Sequence, residues 1–428
     1  MKKSICVVGL GYIGLPTAVM FANHGHNVHG IDVNRNVVEN IENKHLHIEE
    51  DGLQQRLDKA IDSGLLTVST EPKKSDVFII AVPSPIREDK SANLEFIRSA
   101  TSGITPFLEK GNLIILESTV PPRTVVDVMI PELLKSGLII GEDLFVSHSP
   151  ERVIPGNVFS ELVSNDRIIG GINPESARMT TDLYNSFVKG QMHETDATTA
   201  ELVKVIENTY RDVNIALANE LAKISELIDV NIWDAIKLAN HHPRVNIHMP
   251  GPGVGGHCIA IDPWFLVEIA PEVAQIIHLA RKTNDGMPKY TAQFVTSILE
   301  AKGLKNSKVA VLGLAFKGNI DDMRESPSVD VVQQLKQCGL SVNAFDPHIK
   351  QNNIHEQTQS QEEAVADASA IVILTNHNEF IHLNPEEIGA LMKNKIIIDT
   401  KNCINRTIWE NAGFDVYTLG DSNRGKWN

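Results

Sequence analysis

An apolar strand, Ile5-Cys-Val-Val8, runs directly into Gly9-Leu-Gly11-Tyr12-Ile13-Gly14; Ala18 to Ala22 then begins an amphipathic helix, and a second strand, Asn27-Val-His-Gly-Ile31, ends on Asp32. Few patterns restrict a fold as tightly. The first two glycines make a tight turn and admit a pyrophosphate to a helix N-terminus, while the third lets helix pack on strand. Asp32, eighteen residues past Gly14, is placed to accept hydrogen bonds from a ribose diol and to repel a 2′-phosphate. The opening therefore predicts a Rossmann-type domain that binds NAD rather than NADP through Gly9, Gly11, Tyr12, Ile13, Gly14 and Asp32.

The same pattern returns, altered, near Lys308. Lys308-Val-Ala-Val-Leu312 reads as a strand into Gly313, Val329 to Cys338 as a helix, and Ser341-Val-Asn-Ala-Phe345 as a strand ending on Asp346. Ala315 replaces the second glycine, and an insert from Phe316 to Pro327 stands in the loop, as in a Rossmann-type domain refitted for another nucleotide. Ile371–Leu374 and Ile396–Asp399 extend its sheet. At 428 residues the chain exceeds one ordinary core. The predicted class is α/β: two Rossmann-like doubly wound domains joined by a long central helix and a helical dimerisation region. The expected divisions are residues 1–195, 196–300 and 301–428.

In the first domain, strand-like runs at Val77–Val82, Leu113–Leu116 and Leu144–Val146 end in loops holding Pro83, Thr119, and Glu151 with Arg152. Ligands of open parallel sheets sit outside the carboxyl ends of the strands, so these loops are expected to rim the site; for the prolines, plain turn punctuation accounts equally well.

From Asp196, which can cap it, about thirty residues read as helix, with Leu202, Val205, Ile206, Val213, Leu217, Leu221, Ile224 and Ile228 spaced for an apolar face. Lys204, Asn208, Arg211 and Asn219 fall on one polar stripe about 80° wide, which a solvated face would also produce. Beyond it, Gly251-Pro-Gly-Val-Gly-Gly-His-Cys258 sets a thiol at the end of a backbone stripped of side chains. That suits a nucleophile, although free cysteine is often buried and glycine-proline runs make turns, so the stretch alone admits both readings. Cys6, Cys338 and Cys403 are set in or beside apolar runs as packing residues, and no cysteine pairing indicates zinc or disulfides. His257 with His241, His242 and His248 fits no metal-ligand spacing, so no metal is expected.

A net charge of −15 offers no basic stripe to nucleic acid. No apolar run reaches membrane-spanning length, and the N-terminus does not read as a signal peptide, so a cytoplasmic protein without membrane partners is expected.

Several long strings carry a family resemblance: Pro150-Glu-Arg-Val-Ile-Pro-Gly156, Arg211-Asp-Val-Asn-Ile-Ala216, His242 to Ile247, and Gly251 through Cys258 to Phe265. They resemble the nucleotide-sugar 6-dehydrogenases, the UDP-glucose/GDP-mannose dehydrogenase family, over nearly the whole chain, and look most like its branch acting on UDP-N-acetylmannosamine. The resemblance implies an NAD-dependent four-electron oxidation of a UDP-sugar C6 alcohol to the uronate. Cys258 would form a thiohemiacetal and then a thioester, Lys204 and Asn208 would stabilise its oxyanions, and Asp262 with Lys204 would order a water. Thr119 and Glu151 correspond to residues implicated with that water and the sugar, Thr119 counting also with Pro83 toward the cofactor. Lys317 matches a lysine near the sugar and Arg324 one that meets the NAD pyrophosphate. Arg152, Arg211, His242 and Gly255 are counted with the substrate site. Arg244 resembles an arginine that reaches a neighbouring subunit's substrate, which implies a homodimer through the central helix.

Departures from the family pattern are Pro155 for a glutamate, Arg123 for a glycine, Gly318 for a proline and Lys401 for an arginine. Within the family, UDP-GlcNAc or UDP-glucose is the alternative substrate. A two-electron dehydrogenase of the 6-phosphogluconate or hydroxyacid type would lack the second nucleotide domain. A non-catalytic nucleotide-sugar sensor would be marked by loss of Cys258, Lys204 or Asp262, and all three are present.

Overall fold

The computed structural model describes residues 2–48, 50–154, 156–350 and 353–422; Pro155 lies outside them. The chain divides into two compact units, one of Met1–Glu207 with Trp264–Ile269, the other of Asn208–Pro263 with Ala270–Asn428.

The first unit is built on strands β1 (Ser4–Val8), β2 (Asn27–Ile31), β3 (Leu66–Ser69), β4 (Val77–Ile80), β5 (Asn112–Leu116), β6 (Leu144–His148), β7 (Arg167–Gly171) and β8 (Met192–Asp196). Their order is β3-β2-β1-β4-β5-β6-β7-β8, so the chain reverses direction across the sheet at β1, where β4 pairs on its other side. Runs such as Ile5–Val8 and Val77–Ile80 are buried along their length, because crossover helices cover both faces of a parallel sheet. The helix Gly14–Asn23 is buried from Gly14 to Ala22. The sheet is parallel from β3 to β6; β7 runs antiparallel to β6 and β8 then runs parallel to β7.

The second unit carries β9 (Lys308–Leu312), β10 (Ser341–Phe345), β11 (Ala370–Ile373), β12 (Ile396–Asp399) and β13 (Asp415–Thr418), all parallel, in the order β10-β9-β11-β12-β13. Two parallel-sheet Rossmann-like folds and one long helix make up the architecture.

That helix, Ala197–Leu227, is 31 residues long. Asp196 caps it, accepting from the Thr199 amide at 2.9 Å and its hydroxyl at 2.6 Å. Of the expected apolar face, Val205 is fully buried, whereas Leu202, Ile206, Leu217, Ile224 and Ile228 stand exposed with Tyr210 and Leu227. Among the described residues, no helix is long and apolar enough to cross a membrane.

Candidate active site

In the first unit the glycine loop is fixed by sterics. Gly9 adopts φ +92°, and a Cβ on it would lie 2.6 Å from the Ala81 carbonyl oxygen; one on Gly14 would lie 1.8 Å from that of Gly9. Gly11 differs: among the described residues, and leaving aside its chain neighbours, no heavy atom lies within 4 Å of where its Cβ would be. Among the described residues, no side chain caps the helix that begins at Gly14. Open space before uncapped helical amides suits a pyrophosphate. The Asp32 carboxylate accepts from the amides of Leu10 and Asn34, each at 2.9 Å, which holds it at the β2 terminus with acceptor capacity to spare. These residues fit NAD. Tyr12 packs against the core and Ile13 precedes the first helical turn.

The loops beyond β4 and β5 are tied together. Ser84 donates its hydroxyl to the Thr119 carbonyl, and Ser118 donates to the Val82 carbonyl at 2.6 Å, with Pro83 exposed between them. Glu201, buried on the long helix, accepts from the amides of Arg123 at 2.5 Å and Val125 at 2.8 Å, so the helix also holds the Thr119 loop. Burial pushes its carboxyl up to about 7 against those two hydrogen bonds. Beyond β6, Glu151 is buried and paired with Arg167. Its neighbour Arg152 is committed to Glu207 and, at 3.2 Å, to the Asp166 carbonyl.

In the second unit Gly253, Gly255 and Gly256, which precede Cys258, each have a steric or conformational reason. Gly253 and Gly256 take φ +143° and +84°. A Cβ on Gly255 would meet the Glu325 carbonyl oxygen at 2.5 Å and Phe316 and Pro327 at 2.7 Å, so packing against the Phe316–Pro327 insert demands glycine there. The run delivers Cys258 exposed. The Cys258 carbonyl accepts from the amides of Ile261 at 3.1 Å and Asp262 at 2.9 Å, one turn before the helix Asp262–Ile269. Asn208 donates its side-chain amide to the Asp262 carboxylate at 2.6 Å, joining the long helix to the cysteine loop. Lys204, buried like Asn208, lies one helical turn before it on the same face.

The remaining candidates are spread along the unit. Arg324 grips Asp322 through Nε at 2.9 Å and Nη2 at 2.6 Å. Burial opposes ionisation of Asp322, but those bonds bring its carboxyl below the usual range. Burial, with the Arg324 charge, lowers His257. Lys317 is exposed beside Gly318, where a Cβ would meet the Asn376 carbonyl oxygen at 2.5 Å. Arg211, His242 and Arg244 are exposed. The second glycine loop is occupied from within: Asp346 accepts from the amides of Leu314 at 2.7 Å and Ala315 at 2.9 Å and pairs with His377 at 3.0 Å. Those amides are taken up by Asp346.

Sequence reasoning gave Asn219 no role beyond its stripe, yet it is the anchor of the cysteine loop. Its Oδ1 accepts from the Gly251 amide at 2.9 Å, and its Nδ2 donates to Asn284 at 2.9 Å. Asn284 in turn donates to Asp212 Oδ1 at 2.7 Å, which Arg281 also pairs at 2.5 Å. The only foreshadowing is the i, i+3 spacing of Arg281 and Asn284 on one helix.

Residues 3–188 match the NAD binding domain of the UDP-glucose/GDP-mannose dehydrogenase family, 198–286 its central domain and 310–406 its UDP binding domain. A UDP-N-acetyl-D-mannosamine dehydrogenase of Methanococcus vannielii is 48% identical over 432 residues, covering 99% of this chain and 98% of that one. An NDP-N-acetyl-D-galactosaminuronic acid dehydrogenase of Ralstonia solanacearum is 43% identical, covering 93% and 96%. The solved UDP-D-ManNAc dehydrogenase of Pyrococcus horikoshii superposes with a TM-score of 0.92 at 42% identity, over 98% of this chain and 100% of that one. With all three family domains present in order and near-complete coverage by its relatives, the chain belongs to the UDP-glucose/GDP-mannose dehydrogenase family of NAD-dependent UDP-sugar dehydrogenases.

Proposed function

We propose that this enzyme oxidises the C6 alcohol of UDP-N-acetyl-D-mannosamine to the uronate in two NAD-dependent steps, with Cys258 as covalent nucleophile. The observation that carries this reading is an exposed thiol at the end of a sterically required glycine run, one turn from a buried Asn208–Asp262 pair. NAD, when bound, supplies the acceptor for both hydrides. The Cys258 thiolate adds to the C6 aldehyde carbon, and the resulting thiohemiacetal, once oxidised, becomes a thioester that water hydrolyses with the thiolate as leaving group. Lys204 and Asn208 stabilise the oxyanions formed at C6. Asp262, with Lys204, moves protons through an ordered water, and Glu151 and Thr119 serve the water and sugar. In total, one alcohol, two NAD+ and one water give one carboxylic acid, two NADH and two protons.

The sugar assignment follows the relatives: the Methanococcus and Pyrococcus proteins carry the mannosamine name, against the Ralstonia protein's galactosaminuronic one. Pro83, Thr119 and Arg324 complete the cofactor site, and Arg152, Arg211, His242, Gly255 and Lys317 belong to the substrate side. The functional division is residues 1–195 for NAD, 196–300 for the central region and 301–428 for UDP. A second copy of the chain covers Tyr210, Leu217, Ile224 and Leu227, exposed at helical spacing, and places Arg244 at its partner's substrate. The enzyme works in the cytoplasm, where NAD and nucleotide sugars are available.

Counting NADH per sugar tests the route. Two per UDP-N-acetylmannosamine, with UDP-GlcNAc, UDP-GalNAc and UDP-glucose turned over far more slowly, is expected. One NADH with released aldehyde overturns the covalent route in favour of a two-electron dehydrogenase.

A further inference from the structure

Arg167 opens β7, and its side chain is only 5% exposed. Its Nη2 pairs with Glu151 Oε1, and its Nη1 donates to Ser149 Oγ at 3.1 Å and stands 3.6 Å from Glu117 Oε1. The guanidinium lies 4.1 Å over the Tyr184 ring. Tyr184 donates its hydroxyl to Glu117, itself fully buried, and Thr17 donates to the other Glu117 oxygen at 3.1 Å. Two buried carboxylates thus share one cation. Burial pushes Glu117 up against the pull of Arg167, and pushes the Tyr184 hydroxyl well above its ordinary value.

We propose that Arg167 is a positioning residue for the dehydrogenase reaction: its guanidinium fixes the Glu151 carboxylate, while Glu117, Tyr184 and Ser149 fix the guanidinium. The proposal rests on the reading that Glu151 serves the reaction. Arginine suits the place because one planar fork reaches Glu151 and Ser149 in separate directions and stacks on an aromatic ring, whereas a lysine offers one point charge. A buried arginine can also be fold glue, so the test must separate aim from integrity.

A double-mutant cycle does so, using Arg167→Lys, Glu151→Gln and the pair, with kcat, KM for each substrate and thermal melting measured on each protein. Acting through Glu151, Arg167→Lys is expected to lower kcat about 10- to 100-fold with KM for NAD unchanged, and to cost little more once Glu151 is glutamine. The same loss in both backgrounds, or no loss in either, overturns the positioning role while leaving Glu151 in place. Near-normal turnover by Glu151→Gln removes Glu151 itself, and the proposal with it. Should Arg167→Lys fail to fold, Tyr184→Phe enters the cycle instead, keeping the ring and removing the hydroxyl that holds Glu117. A kcat loss confined to the Glu151 background supports the proposal, and an unchanged kcat overturns it.

Discussion

The Asn208 side-chain amide donates to the Asp262 carboxylate at 2.6 Å, with the two residues 7% and 2% exposed. A buried carboxylate held this way is fixed in orientation by a donor on the long helix. Asn208→Ala removes the orienting bond without adding charge. It is expected to lower kcat on the order of 100-fold, the usual cost of one oxyanion donor, while NAD affinity holds. Steady-state kinetics beside an NAD titration checks this, and an unchanged kcat would detach the pair from the chemistry.

Asp32 spends one oxygen on the Leu10 amide and one on that of Asn34, both at 2.9 Å. The carboxylate is therefore fixed rather than free to swing aside for a 2′-phosphate. Asp32→Ala is expected to narrow the preference for NAD over NADP, chiefly through KM. Equal turnover of both cofactors by the parent enzyme would show that Asp32 does not face the ribose.

What could be read from sequence, and what could not, divides along physical lines. Gly9, Gly14 and the glycines before Cys258 were legible because a close backbone approach or a positive φ excludes other residues. The long helix announced itself through apolar spacing. By contrast, β8 reads Met192-His-Glu-Thr-Asp196, a half-exposed edge strand with no apolar run, and β13 offers only Val416 and Tyr417. Asn219 and Arg167 were illegible for another reason. The partners of Asn219 lie 32 and 65 residues away, and the cluster around Arg167 draws on Thr17, Glu117, Ser149, Glu151 and Tyr184, a combination only the fold assembles.

Arg123 stands where the family pattern has glycine, and it adopts φ 78°. Left-handed backbone costs a residue with a Cβ about 1–2 kcal/mol. Against this, glycine's extra unfolded-state freedom costs about 0.5–1 kcal/mol, and the exposed Arg123–Asp127 pair, screened by solvent, adds little. Arg123→Gly should therefore melt close to the parent despite losing that pair. Arg123→Val, β-branched in the same strained place, should lose about 2 kcal/mol or more. Equal melting of the two variants would mean that the loop relaxes and stores no strain.

Glu201 links pH to stability through the Thr119 loop. Its folded carboxyl is raised to about 7 from 4.5, chiefly by burial. Between those values the folded chain holds a proton that the unfolded chain has released, so this group's contribution falls as pH rises from about 4.5 to 7 and is level outside that window. The full swing is about 3 kcal/mol at about 1.4 kcal/mol per unit. Glu201→Gln cannot titrate, and denaturant unfolding at pH 5 and pH 7.5 should show the variant losing less stability across the interval than the parent. Parallel losses would place the titration elsewhere.

On the proposed route Cys258 is needed for the second half of the reaction rather than the first, because removing a hydride from an alcohol requires no covalent bond to the enzyme. Cys258→Ser keeps the size and the glycine-built loop, yet serine is the weaker nucleophile at neutral pH and an alkoxide is a far poorer leaving group than a thiolate. Uronate formation should fall by about 1,000-fold or more, while NAD and UDP-sugar binding stay near normal because ground-state contacts survive the change. Mass spectrometry of the variant after incubation with UDP-N-acetylmannosamine and NAD should find either a sugar ester on the substituted side chain or aldehyde released to solution. Near-normal uronate production would strip the thiol of its role, leaving the sterically enforced glycine run to be explained by its packing on Phe316 and Pro327 alone.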